Sequence, residues 1–210
     1  MKMLATTKGG ARGFLVLGLL FSAALPMTAA WGQTQMSSAF GIAVSTPTVN
    51  STSPLAVLPT DGSLGSANTA SVSVAGVAGA ANLFAMATGS DGSAEGDATL
   101  ENVSLLNGLI TADGVMALAS SAFTGAGASS NAEGSLLDNL VVNGVAISGD
   151  VAPNTNIALT GVGYVVLNEQ IPSGDGVTSS GLTVNMIHVY LQGLVTGEII
   201  VGSAASAVGQ

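Results

Sequence analysis

Alternating apolar and polar residues predict a β-hairpin between Asn154 and Gln170. In NTNIALTGVGYVVLNEQ, apolar side chains alternate with polar or small ones on both sides of a bend that contains Gly161 and Gly163. The hairpin ends with Asn168, Glu169 and Gln170. Polar side chains at a strand end often hydrogen-bond to nearby backbone, so these three are expected to tie the strand to a neighbouring loop.

Two further hairpins are predicted around Asn-Gly pairs. Asn107-Gly108 lies within LENVSLLNGLI and Asn143-Gly144 within LDNLVVNGVAI, each between apolar runs. A type I′ turn needs positive φ at both central residues, which Asn tolerates and Gly adopts freely. The two segments also resemble each other, but two short copies do not establish a repeat array.

The remaining alternating runs extend the same interpretation along the chain. SAFGIAV, the run from Thr69, NLFAMAT with Phe84 and Met86 on one face, LTVNMIHVYLQGL and EIIVGSA all have the period of strands. Gly89 to Asp97 contains no apolar residue larger than Ala and is interpreted as a solvated turn. The predicted fold is an all-β antiparallel β-sandwich, with a β-solenoid as the alternative. Its boundaries are a flexible N-terminus over 31–37, one β domain over 38–204 and a C-terminal tail over 205–210.

The first thirty residues have the features of a secretory signal peptide. Lys2, Lys8 and Arg12 precede the apolar run GFLVLGLLFSAAL, which Pro26 and small residues follow. The apolar run is shorter than the roughly 20 residues a membrane-spanning helix needs. We therefore expect cleavage after Ala30, with Gly32 as the alternative, and no stable membrane insertion of the mature chain. The expected location is extracellular or at the cell surface, with the periplasm left open.

Removal of that segment makes the chain wholly anionic. The three basic residues lie in the first twelve positions and all twelve acidic residues follow position 60, so the net charge changes from −9 to −12. Without Lys or Arg, the mature chain has no means of binding phosphate backbones, and nucleic acid is excluded as an expected partner. The chain also has no cysteine, so its stability must come from burial, hydrogen bonding or assembly.

Few residues suggest chemistry. His188 is the only histidine, and a serine hydrolase would need it as the base, with Glu169 the nearest candidate to orient it. The spacing of the two residues does not place them side by side, and neither catalytic nor cofactor-binding residues are predicted. Asp91, Glu95 and Asp97 form a glycine-spaced acidic segment that suits oxygen-ligated Ca²⁺, the one candidate metal site; a solvated acidic turn is the competing interpretation.

Several segments together resemble the bacterial choice-of-anchor P proteins. The similar segments, in matching order, are SAFGIAV, GLITADGV, NLVVNG, PNTNIALTGVGYVVLNEQ, LTVNMIHVYL and GEIIVGSA. This resemblance implies an exported surface or extracellular protein, although the C-terminal anchor of that family is missing here. The expected function is that of a structural or interaction protein without enzymatic activity, which associates with itself or with envelope or matrix components. An adhesin-like glycan- or calcium-binding module is the alternative, and a hydrolase is a third hypothesis.

Overall fold

The computed structural model describes residues 33–210, and these belong to one compact unit. The predicted signal peptide lies outside the described residues. The described part of the chain consists of β-strands joined by turns and loops, and it contains no helix long and apolar enough to cross a membrane. The strands are β1 (Thr34–Ser45), β2 (Asn50–Val57), β3 (Gly65–Val74), β4 (Ala78–Ser90), β5 (Ser93–Leu105), β6 (Ile110–Thr124), β7 (Gly127–Asn131), β8 (Leu136–Asp138), β9 (Val141–Val142), β10 (Val145–Ala146), β11 (Thr155–Leu159), β12 (Gly163–Gly174), β13 (Ser179–Gln192) and β14 (Thr196–Gly209).

The strands form two antiparallel sheets packed face to face. The six-stranded sheet has the order β11-β12-β13-β14-β1-β2. The eight-stranded sheet has the order β10-β9-β6-β5-β4-β3, with β7 and β8 also paired to β6. The predicted all-β sandwich is therefore confirmed, and the solenoid alternative is wrong because consecutive strands fold back as hairpins instead of winding into parallel coils.

The predicted hairpins are present. Asn143 and Gly144 have φ of 54° and 75° between β9 and β10, as a type I′ turn requires. Asn107 and Gly108, with φ of 57° and 85°, lie in the connection between β5 and β6, but this connection runs through residues 106–109 and is longer than the predicted two-residue type I′ turn. The hairpin of β11 and β12 turns through residues 160–162. The turn residues in the sequence thus correctly predicted the positions of three antiparallel connections.

Three predicted boundaries are wrong. Strand β1 begins at Thr34 and β14 ends at Gly209, where the two residues are paired, so 34–37 is not a flexible end and 205–209 is not a tail. These segments consist largely of Ser and Ala, whose small side chains do not produce a clear alternating pattern. The Gly89–Asp97 segment is mostly strand as well, because Asp91 and Gly92, with φ of 49° and 79°, make a two-residue turn between β4 and β5.

Small side chains let the two sheets pack closely. The inward side of β4 carries Leu83, Ala85 and Ala87, all buried, whereas Phe84 and Met86 share the outward side. Gly96 of β5 faces the other sheet so closely that a Cβ there would lie 2.5 Å from the carbonyl oxygen of Ser38. A larger residue at this position would force the sheets apart.

In the long strands, the inward-facing positions shift phase once. Regular strands bury every second residue, but in three strands of the eight-stranded sheet two successive buried positions are three residues apart. In three strands of the six-stranded sheet, buried apolar residues show the same three-residue step, although residues between them, such as Gly41 and Met186, are buried as well. A residue at positive φ such as Asn102 (52°) or Gly202 (64°) lies between some of these pairs. The side chains therefore change faces at these points. The buried pairs are Ala39 and Ile42, Ala80 and Leu83, Leu100 and Val103, Ala112 and Val115, Val184 and Ile187, and Val201 and Ala204.

These phase shifts align across neighbouring strands in both sheets. In the six-stranded sheet the line passes through Asn168 of β12, Met186 of β13, Gly202 of β14 and Gly41 of β1, which we name the first inversion line. In the eight-stranded sheet it passes through Asn82 of β4, Asn102 of β5, Asp113 of β6 and the adjoining Asn139, which we name the second inversion line.

Candidate functional site

Polar side chains converge on the outer face of the six-stranded sheet, beside the first inversion line. Glu169 follows Asn168, whose φ of 48° directs the next side chain outward, whereas Leu167 before it is buried in the core. Glu169 pairs with Asn185 on β13, and Asn185 pairs with Ser203 on β14. His188 lies across the line from them on β13. The sheet geometry thus gathers residues of three strands, which we name the Glu169 cluster.

Glu169 is the hydrogen-bond acceptor at the centre of this cluster. Its Oε2 accepts from Asn185 Nδ2 at 2.7 Å and lies 2.7 Å from His188 Nδ1. Its Oε1 accepts from the Tyr190 hydroxyl at 2.9 Å. Ser203 Oγ donates to Asn185 Oδ1 at 2.7 Å, which extends the network to β14. A carboxylate with several donors is strongly held in place.

Aromatic rings form one side of the cluster. Tyr164 and Tyr190 are a cross-strand pair whose ring centroids are 4.6 Å apart, and His188 stacks on Tyr190 at 4.0 Å. Stacked pairs of this kind stabilise neighbouring strands. The Tyr190 ring therefore stacks with both other rings of the cluster.

Hydrogen bonds to the carboxylate keep Glu169 ionised by lowering its pKa. Burial by itself raises the pKa of this carboxyl group, but the hydrogen bonds from His188 and Asn185, the charge of His188 and the Tyr190 hydrogen bond together lower the pKa to about 2. Burial and the hydrogen bond to Glu169 raise the pKa of Tyr190. At neutral pH Glu169 is therefore ionised and Tyr190 is neutral, which matches their roles as acceptor and donor.

The second ring nitrogen of His188 faces another carboxylate. Its Nε2 lies 3.3 Å from Oε2 of Glu198 on β14, whose side chain is about one-third exposed. In a serine-hydrolase relay that nitrogen would face the nucleophilic hydroxyl. Here both ring nitrogens face carboxylates, and only a doubly protonated imidazole donates to both. The arrangement links β12, β13 and β14 through one side chain.

The network is complete within itself. Among residues 33–210, every buried side-chain nitrogen and oxygen atom has a hydrogen-bond partner. Asn185, His188 and Ser203 are 4–6% exposed, so their hydrogen bonds replace those that water would make. The cluster therefore holds the strands together without leaving a buried donor or acceptor directed at an absent ligand.

The residues on either side of Glu169 hydrogen-bond to a loop and to each other. Asn168 Nδ2 donates to the carbonyl oxygen of Val151 at 2.8 Å, and Gln170 Nε2 donates to Asn168 Oδ1 at 3.0 Å. The backbone N–H of Gln170 donates to Asn154 Oδ1 at 2.9 Å. The predicted tie of this strand end to a loop is thus confirmed for the side chain of Asn168, whereas the side chain of Gln170 bonds to Asn168 and that of Glu169 to residues of β13.

The candidate calcium residues are distributed over a turn and a strand. Asp91 lies in the turn before β5, whereas Glu95 and Asp97 lie two residues apart on the same partly exposed side of β5. Burial and the neighbouring charge of Glu95 raise the pKa of Asp97. Within the described residues no three His, Cys, Asp or Glu side chains are grouped so as to hold a metal ion.

The acidic loop between β12 and β13 is held by hydrogen bonds within its own turn. The carboxylate of Asp175, between β12 and β13, accepts hydrogen bonds from the backbone N–H groups of Val177, Thr178 and Ser179 and from the Thr178 hydroxyl. The Thr178 hydroxyl and these N–H groups lower the pKa of Asp175. Asp175 is therefore a turn-forming residue whose acceptor capacity is used locally.

A shallow depression lies beside the β11–β12 turn. It has a volume of about 340 Å³ and is lined by residues 158–163 with Gln192 and Gly193. Apart from the Thr160 hydroxyl, none of these side chains is an acid, a base or a nucleophile, and the lining offers Thr160 no general base, so the depression adds no chemistry to the Glu169 cluster.

Comparisons with protein-family models, curated proteins and solved structures find no match to this chain.

Proposed function

We propose that this chain is an exported bacterial structural or interaction protein that works at the cell surface or in the extracellular matrix through self-association, without catalysing a reaction. The signal-peptide pattern of residues 1–30 and the resemblance to choice-of-anchor P proteins support export. The absence of a catalytic role is supported by the Glu169 cluster, whose polar groups hydrogen-bond to one another.

The distribution of charge carries the proposal. Asp61 is the only charged residue between Gln33 and Ser90, so strands β1 to β4 have no charged side chain. Large apolar residues are nevertheless exposed in this part of the molecule: Leu55 is 51% and Val57 56% exposed on β2, and Leu64 is 58% exposed just before β3. An uncharged surface with exposed apolar side chains is typical of a protein-interaction site.

Export and self-association are tested separately. Expression of the whole chain in a bacterial host should yield an extracytoplasmic product whose N-terminus, read by mass spectrometry, is Trp31. The mature chain over 31–210 should then sediment as larger species with rising concentration. A cytoplasmic product with an intact N-terminus would contradict export, and a strict monomer at every concentration would contradict self-association.

The adhesin-like module is the second candidate, because Glu95 and Asp97 lie two residues apart on one side of β5, where burial and the charge of Glu95 raise the pKa of the Asp97 carboxyl group. A bound cation would relieve that repulsion. Calorimetric titration of the mature chain with Ca²⁺, alongside a glycan array, tests this function. A saturable heat lost in Asp97→Asn would support it, and no heat with no glycan signal would exclude both ligand classes at the concentrations used.

A further inference from the structure

The four strands at the ends of the two sheet orders, β2, β3, β10 and β11, differ in how they are protected from pairing with other chains. Strand β2 contains Pro54, which has no N–H for a new partner strand. Strand β10 has only two residues, and five-residue β11 receives a hydrogen bond on the carbonyl oxygen of Ala158 from Asn143 Nδ2 at 3.1 Å. Shortness, proline and side-chain covering are recognised ways of blocking an edge.

Strand β3 has none of these protections. It runs for ten residues, GSANTASVSV, without proline or charge, and in the described part of the chain it pairs with β4 alone. Residues 66, 68, 70, 71 and 73 are exposed. The backbone groups on the side away from β4 therefore offer a row of donors and acceptors to another extended strand.

The charge distribution indicates which kind of partner can pair with the β3 edge. Every acidic residue of the mature chain except Asp61 lies after Ser90, and no Lys or Arg is present to neutralise these charges in a complex of two copies. Two copies that met through their acidic surfaces would bring like charges together, whereas contact through β3 would not. A basic partner would instead be attracted to the acidic surfaces. The uncharged edge therefore fits a second copy of this chain.

We infer that two copies associate through antiparallel pairing of their β3 strands about a two-fold axis, which joins the two eight-stranded sheets into one continuous sheet. This inference rests on the proposed function and names its contact surface. In a two-fold contact the same strand serves both partners. The exposed Leu64, directly before β3, lies at the margin of this contact and adds apolar area to it.

Charge introduced at the middle of β3 tests this contact. Ala70 is exposed near the strand centre, so Ala70→Glu places two new carboxylates close together across the two-fold axis. We expect dimerisation measured by sedimentation velocity to weaken at least about fivefold, because like charges opposed across strands destabilise pairing. Ala70→Thr, uncharged and favourable in strands, should retain dimerisation. Asn156→Glu makes the same charge change on exposed β11 and should match the wild type.

Two further measurements distinguish the contact from a general effect on folding. The deficit of Ala70→Glu should shrink in about 1 M salt, where charges are screened beyond about 3 Å. Hydrogen exchange of the wild type should slow in β3 as concentration rises, and β11 should not respond. If the wild type dimerises but Asn156→Glu disrupts the dimer and Ala70→Glu does not, the β3 contact is wrong while the proposed function stands. A wild type that stays monomeric would overturn both.

Discussion

The two inversion lines place polar side chains in different environments. Beside the first line, the Glu169 cluster is largely buried, and Glu169 is hydrogen-bonded to Asn185, His188 and Tyr190. Beside the second line, Asn82 Nδ2 donates to Glu101 Oε2 at 2.6 Å and Asn139 Nδ2 donates to Asp113 Oδ2 at 2.9 Å, and both pairs are exposed. The shift in strand phase is similar in the two sheets, but the polar side chains beside it are buried in one sheet and exposed in the other.

This difference shows that a similar backbone geometry can contribute very differently to the free energy of unfolding. An exposed hydrogen bond competes with water and contributes little, whereas a buried carboxylate that loses its position leaves several donors without partners. We therefore expect substitutions beside the first inversion line to lower the free energy of unfolding strongly. Substitutions beside the second line should have small effects, because that line mainly sets which way side chains point. Four predictions test this contrast.

Removal of the central carboxylate should have the largest effect. Glu169→Ala leaves His188, Asn185 and the Tyr190 hydroxyl without their shared acceptor, and loss of one partner from a buried charged network costs about 3–5 kcal/mol. Glu101→Ala removes an exposed carboxylate with one partner and should cost less than about 0.5 kcal/mol. Urea unfolding of both variants measures the difference. Equal losses would show that the first line has no special weight.

A methyl group added at the first inversion line should have the next largest effect. Gly202 has a φ of 64°, and a Cβ there would lie 2.6 Å from Cγ1 of Val115 in the opposite sheet. Gly202→Ala combines an unfavourable backbone conformation with overpacking, and we expect a loss of about 2–4 kcal/mol. Gly114, beside the second line, has no positive φ, and its nearest neighbour would be 3.5 Å from the new Cβ. Gly114→Ala should therefore be within about 0.5 kcal/mol of the wild type, as measured by thermal and urea unfolding. A Gly202→Ala variant as stable as Gly114→Ala would contradict the packing argument.

The sequence predicted the fold class because its signals are local. Alternation and the two Asn-Gly pairs define hairpins without knowledge of the rest of the chain. The inversion lines also leave a trace, since buried positions such as Leu100 and Val103 are three residues apart. That step is understood only when paired strands show that it recurs at the same level of the sheet.

The Glu169 cluster was beyond sequence reasoning because it depends on the register of β12 and β13. Glu169 and His188 are 19 residues apart, and the loop around Asp175 determines which residues of the two strands face each other. Shifting that register by one residue would move His188 to the other face. Asn185 and Ser203 gave no signal of their own, because an isolated Asn or Ser in a strand is common on any solvated face.

The pH dependence of stability should also depend on the first line. The pKa of Glu169 is lowered from its usual 4.5 to about 2 in the folded protein. Its stabilising contribution is therefore fully present above about pH 4.5 and is lost as pH falls toward 2. The urea midpoint of the wild type should fall across this window, and the fall should be smaller in Glu169→Gln. Glu101→Gln should retain the full wild-type fall, and a fall of the same size in both variants would assign acid sensitivity to other carboxyl groups.

The smallest effects should come from the asparagines at positive φ. Asn168 (48°) and Asn102 (52°) occupy the same backbone region, where Ala is less favourable by about 1 kcal/mol. Asn168→Ala also removes the hydrogen bonds to Val151 and from Gln170, so its loss should reach about 2 kcal/mol against about 1 kcal/mol for Asn102→Ala. Glycine adopts this conformation without strain. Asn102→Gly should therefore be nearly neutral, whereas Asn168→Gly should retain only the hydrogen-bond part of the loss. If both glycine variants are as stable as the wild type, the side-chain hydrogen bonds of Asn168 do not contribute to stability. The difference in stability between the two inversion lines would then come from Glu169 and its partners alone.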